Sequence, residues 1–364
     1  RDAQESRGLG DVYKRQECNE ISLQNAEESE QQSGSPSEFK EHYEELKDDI
    51  VKAFIRDYDL MDNPEISLLK FSENIICQVT ENELKLVLRI NRSGYHTMEE
   101  LENELIWITE IKKQTDINTA TIYKGINGKV IQQFKSKAGI TYTYSVQSFV
   151  KGVSIKELKN ENLYSQLENV GKIAAKLHKM EENNPHNKET FKRFAWDIED
   201  TLSENARWGC YLKFPDMTSD DRIIFKKAAD KIEARLKKYG RGIDRYGLIH
   251  ADLHSENLLA DDDKISLIDF DDCGFSWYLY DLAGAISQQS KNLKEMTAAY
   301  LKGYETIRSL SPEDKAEIET FILLRRLVRL GWLTSHSDNG IIEREGREYY
   351  EVTKEMVIMY LENN

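Results

Sequence analysis

Residues 248–272, LIHADLHSENLLADDDKISLIDFDD, set histidines, aspartates and an asparagine around an apolar zigzag. Between Asn257 and Asp269 lie the run LLA, the polar turn DDDK and the alternating ISLIDF, in which Ile265, Leu267 and Asp269 fall out of phase with Ser266, Ile268 and Phe270. That pattern spells a short β-hairpin. A hairpin returns the chain to its start, so Asp269 comes back beside Asn257 and two oxygen ligands face one space. One carboxylate and one amide oxygen suffice for Mg2+, which keeps its waters and takes substrate phosphates as further ligands. Asp252, outside this pair, is left free to orient an attacking hydroxyl and accept its proton.

The order His250, Asp252, Asn257 and then Asp269, Phe270, Asp271 is the layout of a kinase catalytic loop, H-x-D-x-x-x-x-N, and of the D-F-x metal clamp that follows it. With His254 and the stretch WYLYDLA added, the segment resembles the aminoglycoside phosphotransferase and choline kinase superfamily. It is most similar to the bacterial branch that holds stress-response Ser/Thr kinases, type II homoserine kinase-like proteins and hydroxylysine kinase-like proteins. The resemblance runs from about Ser67 to Tyr360. It implies an α+β, two-lobed protein-kinase-like fold, a β-rich N-lobe with one long helix before a larger helical C-lobe, working with ATP and Mg2+. It further implies that Asp252 is catalytic and that Asn257 and Asp269 hold the metal. His250 and His254 support the loop, with a phosphate contact as the alternative for His254. Asp271, which replaces the Gly of the D-F-G form, holds a second metal or the loop itself, and Asp281 pins the loop from a helix.

The other half of such a site is a cation on the nucleotide phosphates, anchored by a helical Glu. In LKLVLRINR the resemblance places Arg89 where Lys is usual, and Lys85, on the same strand face, is the rival. T-M-E-E at Thr97 reads as a capping box with Glu100 that opens the helix ELENELIWITEIKK. Glu104 lies at the edge of that helix's apolar stripe and is the expected ion-pair partner. Ser72 and Asn74 in KFSENIICQV are the expected turn over the phosphates, and Gln147, Ser148 and Phe149 the adenine hinge.

A chain of 364 residues has room for two lobes. Residues 1–16 read as adapter read-through, residues 1–38 as a disordered leader, 39–150 as a nucleotide-binding lobe and 151–364 as a catalytic and substrate lobe. The net charge of −15 argues against nucleic acid as a partner, since backbone binding needs a concentrated basic face. The most apolar stretch, IETFILLRRLVRLGWL, is interrupted by Arg325, Arg326 and Arg329, so no membrane span is expected. The four cysteines form no C-x-x-C pair, so neither a zinc site nor a disulfide framework is indicated, which fits a cytoplasmic protein.

The acceptor is expected to be a small hydroxyl compound such as a hydroxyamino acid, an amino alcohol or an aminoglycoside. A protein Ser/Thr kinase of the stress-response type and a nucleotide-binding module without activity are the alternatives. Only 12 residues lead from Asp269 to Asp281 and no A-P-E follows, so the extended activation segment that holds peptides is missing. Trp208, Arg325, Arg329 and Trp332 are the expected acceptor-pocket residues. Arginines four apart on one helix face suit an acceptor carboxylate; the plainer alternative is that they pair with acidic neighbours.

Overall fold

The structure, a computed structural model, describes residues 36–71, 74–158, 160–262, 264–289, 291–336 and 341–363. The described residues fall into two compact units: one ends at Glu157 and takes in Leu259–Ile268, and the other holds Leu158–Leu258 and Asp269 onward.

The first unit is built on an antiparallel sheet of strands β1 (Glu65–Phe71), β2 (Ile75–Glu81), β3 (Leu84–Ile90), β5 (Ile122–Tyr123), β6 (Gln132–Lys135) and β7 (Thr141–Ser148). The order is β1-β2-β3-β7-β5, with β6 also on β7. β3 lies inside the sheet, and Leu86 through Ile90 are all buried, which is why LVLRI is nearly continuous in apolar residues where β2 alternates. Helix α1 (Pro36–Asp57) packs Tyr43, Leu46, Ile50, Ala53 and Phe54 against this sheet, one helical stripe feeding one core. Helix α2 (Met98–Gln114) starts at the expected capping box: Glu100 N–H donates to Thr97 Oγ1 at 3.2 Å, and Thr97 N–H to Glu100 Oε2 at 2.8 Å. Strand β5 is short, because the chain turns at once, with Gly125 N–H donating to the Lys129 carbonyl and Gly128 at φ +78°.

A second small sheet has the order β4-β11-β10-β8, from β4 (Asn118–Thr119), β8 (Val153–Ser154), β10 (Leu258–Asp261) and β11 (Lys264–Leu267). β10 and β11 are the hairpin legible in the sequence, with Asp262 in the left-handed region at its turn. Asn118 and Thr119 tie β4 to β11: the Asn118 amide donates to Ser266 Oγ at 2.6 Å and the Thr119 hydroxyl to the Leu267 carbonyl at 3.0 Å.

The second unit is mostly helical, with α3 (Asn160–Asn183), α4 (Ile198–Leu202), α5 (Ser219–Tyr239), α6 (Leu279–Ile286), α7 (Leu293–Tyr304), α8 (Pro312–Ser335) and α9 (Arg347–Asn363). Its only sheet pairing among the described strands is β9 (Tyr246–Ile249) with β12 (Gly274–Trp277). α3 and α7 meet backbone to backbone: a Cβ on Gly303 would overlap the Glu168 carbonyl, and one on Gly171 the Tyr300 carbonyl. Among the described residues no helix is long and apolar enough to cross a membrane.

Candidate active site

The segment after β9 carries the expected catalytic residues, and its backbone is held under strain. Ala251 has φ +64°, a conformation a Cβ-bearing residue rarely adopts. What compensates is Asp281, fully buried on α6: its Oδ1 accepts Ala251 N–H at 2.8 Å and its Oδ2 accepts His250 N–H at 3.3 Å. His178 Nε2 stands 3.2 Å from the same Oδ2, and His178 Nδ1 lies 2.9 Å from the Tyr304 hydroxyl, which accepts from Arg308 at 2.8 Å. The Tyr304 proton therefore goes to Nδ1, and Nε2 carries the hydrogen that reaches Asp281. Burial lowers the His178 pKa against the pull of Asp281, so this ring is neutral at neutral pH.

Asp252 follows and is surrounded by donors. Arg325 Nη2, from α8, lies 2.6 Å from Oδ1; His254 Nε2 and Asn257 Nδ2 lie 3.1 and 3.0 Å from Oδ2. Burial pushes the carboxyl up, but His254 and Arg325 outweigh it and hold Asp252 well below the usual carboxylate range. His254 Nδ1 accepts Glu256 N–H at 3.1 Å, so its hydrogen sits on Nε2 and points at Asp252. Both nitrogens of His254 are thus spent inside the loop. Asn257 donates through Nδ2 to the Asp252 carbonyl and carboxylate, which turns Oδ1 away as an acceptor with no hydrogen bond among the described residues.

Asn257 is the residue before β10 and Asp269 the second after β11, so the hairpin brings both to one end. Asp269 is exposed and has φ +61°. The residues after it are clamped from an unforeseen quarter. Arg193 donates through Nε to the Cys273 carbonyl at 2.7 Å and through Nη2 to the Asp271 carbonyl, while Trp196 Nε1 donates to the Asp272 carbonyl at 2.8 Å. Phe270 packs its ring 4.6 Å from that of His250, and Asp271 is buried. Arg193 and His178 carry no motif in the sequence; they lie some 80 and 100 residues from their partners, and only the fold brings them in.

In the first unit Arg89 and Glu104 form a two-pronged ion pair, Nη1 to Oε1 at 2.7 Å and Nη2 to Oε2 at 3.0 Å, with both side chains buried. Lys85 is exposed and lies 5.9 Å over the Phe149 ring. Asn74 accepts Arg92 N–H through Oδ1 at 2.9 Å; Ser72 lies outside the described residues. Gln147 pairs in register with Val87 and Ile122. The N–H groups of Ser148 and Phe149 are committed to the carbonyls of Thr121 and Lys85.

Of the expected pocket arginines, each has its own acidic partner. Arg325 turns to Asp252, while Arg329 pairs with Glu345 at 3.1 Å and lies over Trp332, whose ring stacks on His336. Trp208 is brought to Arg325: the guanidinium sits 4.6 Å from its ring centroid. Arg329 is thus paired with an acidic neighbour, as the plainer alternative has it.

An ionised aspartate on a strained loop, an amide turned to leave its oxygen outward and a buried Arg–Glu pair on a small antiparallel sheet define a phosphotransferase of protein-kinase-like fold. The chain belongs to the phosphotransferase enzyme family, whose model matches residues 72–316. It is 24% identical over 296 residues to the amicoumacin kinase of Bacillus subtilis, covering 78% of this chain and 84% of that one. Among solved structures, a microcompartment-associated aminopropanol kinase superposes with a TM-score of 0.76 at 30% identity, over 86% of this chain and 97% of the other. The amicoumacin kinase hAmiN in complex with AMP-PNP, Ca2+ and Ami gives a TM-score of 0.68 at 20% identity, over 88% and 96%, a likeness of fold. The protein is accordingly a kinase, a phosphotransferase with an alcohol group as acceptor.

Proposed function

We propose that the protein moves the γ-phosphoryl group of Mg-ATP to a hydroxyl of a small molecule. The observation that carries this is the state of Asp252: ionised, fixed by Arg325, His254 and Asn257, and set in a loop whose backbone Asp281 over-determines. A carboxylate so held orients a hydroxyl and takes its proton as the bond to phosphorus forms.

The donor set fits a metal shared with the nucleotide. Asn257 Oδ1 and the exposed Asp269 carboxylate supply two oxygens, and no group of three or more His, Cys, Asp or Glu among the described residues could hold an ion alone, so waters and phosphates complete the shell. Mg2+ there would neutralise charge on the phosphate oxygens. Arg89, fixed by Glu104, serves the phosphates, with Asn74 at the turn over them and Gln147 to Phe149 beside the base.

Between Asp269 and Asp281 the chain is β12 and the start of α6, buried throughout from Phe270. No exposed segment is left there to seat a peptide, which favours a small acceptor over a protein. Screening the purified protein with labelled ATP against hydroxyamino acids, amino alcohols, aminoglycosides and a generic protein substrate tests the proposal. Transfer to a small alcohol is expected; transfer to the protein substrate alone would overturn it.

A further inference from the structure

Asp269 carries a Cβ and yet has φ +61°, a backbone state that persists only where the surroundings hold it. The hold comes from residues 193–196, which run beside residues 271–276 as a strap. Arg193 donates through Nε to the Cys273 carbonyl at 2.7 Å and through Nη2 to the Asp271 carbonyl, and Trp196 Nε1 donates to the Asp272 carbonyl at 2.8 Å. The two backbones then pair. Phe275 N–H donates to the Phe194 carbonyl at 2.9 Å, Trp196 N–H to the Phe275 carbonyl at 2.8 Å, and Ser276 Oγ to the Trp196 carbonyl at 3.0 Å. Three consecutive carbonyls, those of 271 to 273, thus face donors from one strap, and Cys273 N–H closes the turn on the Phe270 carbonyl at 2.9 Å. The strap is itself stiff: Arg193 is 4% and Trp196 1% exposed, the Arg207 guanidinium sits 3.8 Å from the Phe194 ring centroid, and Phe194 meets Trp196 edge-on at 5.3 Å.

We infer that Arg193 and Trp196 are positioning residues for Asp269: by fixing the carbonyls of residues 271–273 they keep Asp269 in the left-handed state that presents its carboxylate to the metal. This rests on the metal role proposed above for Asp269 and says what sustains it. A guanidinium is a rigid plane, so two bonds from one side chain lock the mutual orientation of two peptide groups, which a single ammonium on a flexible stem cannot do. Once the strap is loosened, Asp269 relaxes toward the negative φ that residues with a Cβ prefer. A site whose competent state is only partly populated binds its ligand more weakly by that fraction, and excess ligand recovers the population. Loss of Arg193 is therefore a loss of metal affinity that more metal repairs. Nucleotide without metal does not need the Asp269 carboxylate, so its affinity is spared.

The test follows binding of mant-ADP, a fluorescent ADP, to the full chain, first in EDTA and then under rising Mg2+. Arg193→Met should raise the Mg2+ concentration that gives half of the metal-dependent gain in affinity by roughly tenfold or more, with the Kd in EDTA within about twofold of the parent. Arg193→Lys should fall between, and Trp196→Phe, which keeps the packing and removes the bond to Asp272, should shift in the same direction. ATP turnover by Arg193→Met should recover toward that of the parent at saturating Mg2+. A half-saturating Mg2+ unchanged in both Arg193→Met and Trp196→Phe, with only the melting temperature lowered, would overturn the inference and make the strap purely structural. So would an equal loss of affinity in EDTA, which would put the strap in the service of the nucleotide. Should Arg193→Met fail to fold, Trp196→Phe and Arg193→Lys decide the matter by the same readings. Asp269→Ala separates this inference from the reading beneath it: its response to Mg2+ should be lost, and a response like that of the parent would strike the metal role of Asp269 itself, and the inference with it.

Discussion

Asp281 Oδ1 accepts the Ala251 N–H at 2.8 Å, and Ala251 is the left-handed residue between His250 and Asp252. The strained turn and the buried carboxylate are one device, since the backbone N–H groups exposed by the turn are the ones Asp281 satisfies. Asp281→Asn loses one acceptor face and leaves a buried donor unmatched, at about 1–3 kcal/mol. The expected result is a lower melting temperature with kcat reduced more than the affinity for Mg-ATP, read by calorimetry and steady-state kinetics on one preparation.

Asp252→Asn keeps the size of the side chain and removes the base. Transfer should fall roughly 10²–10⁴-fold, while nucleotide binding stays close to that of the parent, because the proposed role of the carboxylate is toward the acceptor and not the nucleotide. Comparable turnover would show that another group takes the proton.

Arg89 and Glu104 bond through both nitrogens and both oxygens, so the Arg89→Met and Glu104→Gln losses should not add. A double-mutant cycle on kcat/KM for ATP is expected to give a coupling of roughly 0.5–3 kcal/mol. A sum of independent effects would separate Arg89 from the phosphates.

The acidic limb of the kcat/KM profile follows Asp252. Its pKa is depressed, with burial opposed by His254 and Arg325, so activity should persist below the usual carboxylate range. Removing the guanidinium in Arg325→Met lets the pKa rise, and the limb should move to higher pH. An unmoved limb would mean that the neighbouring histidines keep Asp252 ionised without Arg325.

Asp221, in the first turn of α5, is buried and bonds Tyr350 at 2.7 Å, Lys354 at 2.7 Å and the Thr218 cap. Burial raises its pKa, but these donors more than reverse that, and its carboxyl lies well below the usual range. A depressed pKa gives stability that is present above the unfolded value, about 3.9, and fades as pH falls toward the folded one. Asp221→Asn should therefore cost about 2 kcal/mol at neutral pH and progressively less below about pH 4, as followed by denaturant midpoints.

The hairpin and the capping box were legible because each is a local pattern: alternation of residues in one, spacing across one helical turn in the other. The Arg89–Glu104 pair was also legible, Glu104 from the apolar stripe of its helix and Arg89 from the family resemblance, since Lys85 shares its strand face. What could not be read were contacts set by chain reversals. Arg193 reaches Cys273 and Asp271 across some 80 residues, and a lone Arg in FKRFAW has no periodicity to mark it. Arg325 and Arg329 look equivalent at four residues apart, yet Arg325 is drawn in by Asp252 and Trp208 and Arg329 is drawn off by Glu345. Periodicity gives the face of a helix and not the partner.

The contact of α3 with α7 at Gly171 and Gly303 sets the spacing at which His178 finds Tyr304, and through them Asp281 is steadied. Arg325 and Trp208 come from other elements, α8 and the segment before α5. The loop is therefore steadied from two directions that share no helix, through Asp281 from the glycine-tight pair and through Arg325 from α8, so damage to either should reach Asp252 while the other still holds.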